Sequence, residues 1–495
     1  MDPMTSGEEE LFEFCESESL SEEGLREIIE RHRWSPTISM NASNHGFFFV
    51  ACENERVTEG IIRYLLDIFP RAARAVATKS GCTPLHSACF NKNVTPNITQ
   101  LLVDAAPNSV RNEDNDGNTP LHILCFFGKR RVDIKILKLL IEKFPEAVRH
   151  EDDDGNLPIH IAAGRKSPEF CQMLIEAYPG SEQIRGDEGL LPLHHACERN
   201  SLTTVEYLYQ QYPNAIDHAT TMELYPIHFV INSMRYRSEP AAAVEIIRFL
   251  LDCDSNQNLK QFQGQSLLRY ACGQEYDDPP YNDSKIEAGI QIIKIIYDAH
   301  PEAIEDNGIA SDTHRYHQQI QAFINGELVY VRQANDHRLI TTPDDNGRLP
   351  LHTALQNNAR LGSIKLLIKG NPSAIRSIDD SGALPLHVAS EHHDSVSVVQ
   401  YILSLARITR DATDSRGNTA LHYACRGAKH DTIAMLLEKY DAASVSKRNA
   451  DDKLPIDLLW ESNEVTGRES LEYTESVFQL LRAYPELVQS VSTSQ

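Results

Sequence analysis

Any catalysis or metal binding in this chain would have to come from its histidines, cysteines and clustered acids, and three groupings stand out. Eight of the 20 histidines recur in one phrase, at His86, His122, His160, His194, His228, His352, His387 and His422. Zinc would need several of their nitrogens around one ion. One histidine per repeat, on helices stacked roughly 8–10 Å apart, gives instead a ladder whose rungs are too far apart to share a metal. Six of the 10 cysteines (Cys52, Cys89, Cys125, Cys197, Cys272 and Cys425) share a second phase. A layer apart, their Cα atoms exceed the ~7 Å reach of a disulfide, so they read as small buried apolar residues. The stretch NEDNDG offers Asn112, Asp114, Asp116 and Gly117 in the order of a calcium loop, but Ile123 stands where the bidentate Glu is needed. The EHHD run at Glu391 reads as a polar turn. The phosphate-loop, HExxH and GxSxG patterns are all missing. No catalytic residue, metal or cofactor is expected, and the chain reads as a non-enzyme.

What positions these residues is a repeat. Aligned on the residue before Leu-His or its equivalent, one phrase stands at Phe47, Pro84, Pro120, Pro158, Pro192, Pro226, Leu267, Pro350, Pro385, Ala420 and Pro455. The gaps are 34 to 41 residues, except for 83 between Leu267 and Pro350. A period near 35 marks a stacked architecture. In each unit, an acidic turn ending in Gly, such as EDNDG or PDDNG, makes a tight reversal. The proline then starts a first helix, where its missing N–H costs nothing. A second helix follows with apolar residues at helical spacing, as in Val132, Ile136, Leu139 and Leu140, or Val398, Ile402 and Leu405. A second set of prolines, in FPRA at Phe69, FPEA at Phe144, YPNA at Tyr212 and their equivalents, is expected to close that helix. Each unit alone exposes its apolar face and is stable only when stacked.

The phrases TPLHSAC at Thr83 and TPLHILC at Thr119 resemble the ankyrin-repeat signature, T-P-L-H-x-A. The resemblance implies an all-α fold, an ankyrin-repeat solenoid of about 11–12 stacked helix-turn-helix repeats with short turn projections. It also implies that the recurrent histidine bonds turn backbone near the helix start. Leucine replaces the signature threonine at Leu157, Leu191, Leu349, Leu384 and Leu454. Losing such a cap costs ~1 kcal/mol, and packing of these leucines between neighbouring turns is expected to offset it. The organisation expected is a tail at 1–7, capping helices at 8–40, and a first sub-array at 41–272. A divergent repeat with an inserted loop and an extra long helix follows at 273–346, then a second sub-array with its cap at 347–490 and a tail at 491–495.

The chain has 495 residues and a net charge of −24. That charge repels phosphate backbones and anionic lipid surfaces, so nucleic acid and membranes are poor partners. No apolar run reaches membrane-spanning length. The start, MDPMTSGEEELFEF, has no basic n-region, so no secretory signal is expected. Ten cysteines suit a reducing compartment, which makes the cytoplasm the expected location and the nucleus the alternative. The resemblance implies binding of other proteins through a concave groove and the turn tips, as a scaffold or adaptor; the oligomeric state is open, with a monomer favoured.

Two surfaces are candidates for that binding. Lys129, Arg130 and Arg131, then Arg165 and Lys166, then Arg199 follow the first helix in three consecutive repeats, with Phe126 and Phe127 adjoining. Such a cluster in an acidic chain could anchor an acidic peptide or a phosphate group. The turn tips carry Asp116, Asp154, Glu188, Asp345 and Asp380; stacked, they would form an acidic ridge for a basic partner segment. The alternatives are a phosphate or anionic-ligand binder using the basic cluster, and a non-catalytic subunit of an enzyme complex.

Overall fold

A computed structural model describes residues 5–34, 45–127, 133–253, 266–274, 283–305, 315–405, 411–440, 442–466 and 471–483. Within them the regular structure is helical throughout. The chain divides into two compact units, Met1–Gln263 with Gln274–Gly289, and Gly264–Gly273 with Ile290–Gln495.

The first unit opens with a helix, Ser6–Glu16, that begins inside the stretch expected to be a tail. Thr5 starts it by a reciprocal cap: its Oγ1 accepts from Glu8 N–H, and Glu8 Oε2 accepts from Thr5 N–H at 2.8 Å. Helix pairs then recur: Gly46–Glu53 with Glu59–Ile68, Pro84–Phe90 with Pro96–Ala105, Pro120–Phe126 with Asp133–Lys143, Pro158–Arg165 with Pro168–Ala177, Pro192–Arg199 with Leu202–Gln211, and Pro226–Ser233 with Pro240–Cys253. First helices pack on first helices and second on second. The small residues Ala51, Ala88, Ala162 and Ala196, each followed by a buried neighbour such as Cys52, Cys89 or Cys197, let the first helices approach closely.

Consecutive layers are joined by polar bonds as well as by packing. Asn91 Nδ2 donates to the carbonyls of Cys52 and Asn54, both at 2.8 Å, and Asn200 Nδ2 to those of Ala163 and Lys166 at 2.7 and 2.8 Å. Asn91 and Asn200, which follow their first helices, thereby bond carbonyls at the C-terminal end of the preceding one. At the hairpin tips, Asn115 N–H donates to Ser80 and Asp153 N–H to Asp116. The turn glycine is required there: Gly117 has φ 75°, and a Cβ on it would lie 2.6 Å from the Asp153 nitrogen.

The prolines of the second phase do more than stop a helix. Pro107–Arg111, Pro145–Arg149 and Pro213–Asp217 are 3-10 turns that each begin on the proline. The residue before each proline is driven out of helical geometry, as at Phe144 with φ −144° and ψ 81°. The proline's own fixed φ then suits a new turn.

In the second unit the pairs are Pro350–Gln356 with Leu361–Gly370, Pro385–His392 with Val396–Leu405, Ala420–Arg426 with His430–Lys439, and Pro455–Thr466 with Leu471–Ala483. A 21-residue helix, Arg315–Asn335, packs its buried Ile324 and Val331 towards Leu361–Gly370. Two residues depart from the expected apolar stripes. Leu137 is fully buried where Leu139 was expected to be, and Leu405 is exposed while Leu403 turns inward. Val132, the inserted loop at 275–282 and Tyr484 lie outside the described residues.

Candidate functional site

The histidine ladder is a joint between layers. In each of the eight, Nδ1 accepts the backbone N–H of the residue just before the helix-starting proline or alanine, from Thr83 at 3.0 Å through Leu157, Leu191 and Leu384 at 3.0 Å to Thr419 at 3.1 Å. Six also donate from Nε2 to a carbonyl of the following repeat: His86 to Asn118, His122 to Asn156, His160 to Ile184, His194 to His218, His387 to Ala412 and His422 to Lys453. An Nδ1 that accepts and an Nε2 that donates require the neutral ring. Burial enforces that state, pushing His122, His160 and His194 down to about 4. With both nitrogens engaged, the six rings that make both bonds have nothing left for a metal or a substrate. Pro84, Pro120, Pro158, Pro192, Pro226, Pro350, Pro385 and Pro455 all sit at the first position of a helix, and Thr83 and Thr119 place Oγ1 at 2.8 and 2.9 Å from the same histidine nitrogens.

The basic cluster divides. Lys129, Arg130 and Arg131 lie outside the described residues. Lys166 is not a surface cation: its Nζ is 2.6 Å from Asp133 Oδ2, with both side chains 1% exposed. The lysine stem is drawn inward because Asp133, which starts the second helix of the preceding repeat, is itself buried and takes up the charge. Arg165 and Arg199 do come together. They are close enough for Arg199 to disfavour the charged form of Arg165, second only to burial in that effect.

Aromatic rings extend this pair into a stripe. The Arg165 guanidinium lies 4.2 Å from the centre of the Phe126 ring, and Arg199 lies 5.7 Å from that of Tyr236. Phe126 packs edge-on against Phe127 at 5.2 Å, and Phe127 against Phe90 at 4.1 Å. Phe90, Phe126 and Tyr236 are 52%, 46% and 55% exposed, among the most exposed large apolar side chains of this unit. Phe90 and Tyr236 were missed by sequence reasoning. Phe90 was findable, since it follows Cys89 as Phe126 follows Cys125. Tyr236 lies beyond its first helix, where the repeat phase gives no guidance.

Beside Arg165 and Arg199 opens a cavity of about 470 Å³, also lined by Glu198, Tyr236, Arg237 and Glu239. Glu198 Oε1 accepts from Tyr236 Oη at 2.8 Å and lies 3.2 Å from Arg199. Arg237 is buried, and its guanidinium donates to Ser233 Oγ and to the carbonyls of Asn200 and Cys197.

The acidic tip residues are all exposed, Asp116, Asp154 and Glu188 in the first unit and Asp345 and Asp380 in the second. The buried or half-buried acids at the turn bases do different work: Asp114 Oδ1 accepts from the N–H groups of Asp116 and Asn118 and folds the turn. Among the described residues no group of three or more His, Cys, Asp or Glu is arranged to hold a metal ion, and no helix is long and apolar enough to cross a membrane.

A family model for ankyrin repeats, three copies to the model, matches residues 48–143, 128–221, 309–412 and 359–449. The chain belongs to the ankyrin-repeat family. Its fold is accordingly the all-α solenoid implied by the phrases at Thr83 and Thr119. Ankyrin repeats are in general protein–protein interaction modules. A search of curated proteins returns no match.

Proposed function

We propose that this chain is a non-catalytic adaptor that binds a segment of a partner protein along the stripe formed by Phe90, Phe127, Phe126, Arg165, Arg199 and Tyr236. The observation that carries the reading is the exposure of Phe90, Phe126 and Tyr236 in contact with other stripe residues. Contiguous exposed apolar surface is disfavoured in a free protein and marks interaction sites, and aromatic and arginine residues dominate binding hot spots. Ten cysteines, none in a disulfide, support work in a reducing compartment such as the cytoplasm. Lys129, Arg130 and Arg131, which follow Phe126 and Phe127 closely in sequence, are further candidates for binding in this reading. The test is crosslinked capture from native extract with the parent chain and with a Phe90→Ser, Phe126→Ser, Arg165→Ala variant shown to fold. Partners lost from the variant alone support the reading; an identical partner set contradicts it.

A further inference from the structure

We propose that the cavity between Arg165, Arg199 and Arg237 receives an Asp or Glu carboxylate of the bound partner segment. The inference rests on the adaptor reading and specifies the chemistry of its partner.

Charge is the first argument. The chain as a whole carries −24, yet three guanidinium groups line this cavity against two carboxylates, Glu198 and Glu239. One of the two, Glu198, is already held by Arg199 and the Tyr236 hydroxyl. The three acceptors of Arg237 are neutral, a serine hydroxyl and two backbone carbonyls, so its charge is hydrogen-bonded but not cancelled by them. Among the described residues no carboxylate pairs directly with Arg165. The excess is a single positive charge, which one carboxylate neutralises. A phosphate dianion would overshoot, with Glu198 and Glu239 opposing it.

Preorganisation is the second. The Arg165 guanidinium lies 4.2 Å from the Phe126 ring centre and that of Arg199 5.7 Å from the Tyr236 ring centre. Contact with a ring restricts a guanidinium before a ligand arrives, most closely at Arg165, so less side-chain freedom remains to be lost on binding. A guanidinium fork held this way matches the two oxygens of a carboxylate. Phe90 and Phe127 continue the surface away from the cavity and suit an apolar side chain of the same segment. Helix layers are roughly 10 Å apart and an extended chain covers ~3.4 Å per residue, so the apolar and acidic residues should be separated by about three to six positions.

The experiment uses the full chain and end-blocked synthetic peptides, each with one Leu and one Glu separated by Gly and Ser, titrated by calorimetry. Matched peptides carry Gln or phosphoserine in place of Glu. The Glu peptide should bind about tenfold more tightly than the Gln peptide. Arg165→Gln, and separately Arg199→Gln, should abolish the preference for the Glu peptide over the Gln peptide. In Arg165→Glu the preference should invert in favour of a Lys peptide. Equal binding of Glu and Gln peptides overturns the inference, as does insensitivity to both arginine variants or tighter binding of phosphoserine. If all peptides bind equally and Phe90→Ser abolishes binding, the carboxylate site falls while the adaptor surface stands. If none binds, the inference falls and the capture experiment alone judges the adaptor reading.

Discussion

Lys166 and Asp133 form an ion pair with almost no access to water. Burying two charges is costly, and their attraction roughly offsets that cost only while both are present. Lys166→Met, which removes the cation facing Asp133, should therefore destabilise the first unit by ~3–5 kcal/mol in urea unfolding. Adding Asp133→Leu should recover most of the loss. A double variant no more stable than the single would show that the pair is not what holds this position. The pair also shows which facts a local reading of sequence leaves out. Gly164-Arg165-Lys166 looks like a solvated basic run, but the carboxylate that draws Lys166 inward lies 33 residues earlier. Arg165, one residue before it, stays near the surface because Phe126 offers it a ring. The histidines and cysteines, by contrast, were legible, since their placement depends on the repeat phase and on no single partner.

At the scale of the helix, the leucine-for-threonine exchange is a test of what starts each first helix. Leu384 N–H already donates to His387 Nδ1 at 3.0 Å, and its side chain is buried. Leu384→Thr would add a hydroxyl beside a nitrogen that has its donor. Full burial of a leucine side chain contributes ~1.5–3 kcal/mol, against ~1 kcal/mol for a cap. The variant should melt lower than the parent by about 1 kcal/mol of stability; a rise in Tm would show that the cap outweighs the packing. Helix starts were readable from Pro84, Pro120 and their equivalents because proline at that position has one physical role. The second-phase prolines were read only in part. That Pro145 and Pro213 open 3-10 turns depends on the unusual backbone of Phe144 and Tyr212 before them, which the motif alone does not reveal.

Across the whole molecule the histidine joints make stability depend on pH. His122, His160 and His194 are held at about 4 in the fold, against 6.5 in an unfolded chain. Between these values the unfolded chain binds protons that the folded chain refuses, so stability falls as pH drops from 6.5 towards 4 and is unaffected by these rings above that window. Each shift corresponds to about 3 kcal/mol. Tm should fall steeply between pH 6.5 and 4.5; a flat profile there would mean that the rings are not held neutral. The helical stack was legible from the period near 35 and the family from the phrases at Thr83 and Thr119, whereas the proposed stripe was half legible. Arg165, Arg199, Phe126 and Phe127 were found as a local basic and aromatic run, and Tyr236 emerged only from the packing of Arg199. The central claim, that this stripe is where a partner binds, is tested most directly by crosslinked capture with two folded variants. One carries Phe90→Ser, Phe126→Ser and Arg165→Ala; the other carries Asp116→Asn, Asp154→Asn and Glu188→Gln on the hairpin tips. The stripe variant should lose partners that the tip variant retains; retention by the stripe variant with loss from the tip variant would contradict the claim and move the binding surface to the hairpins.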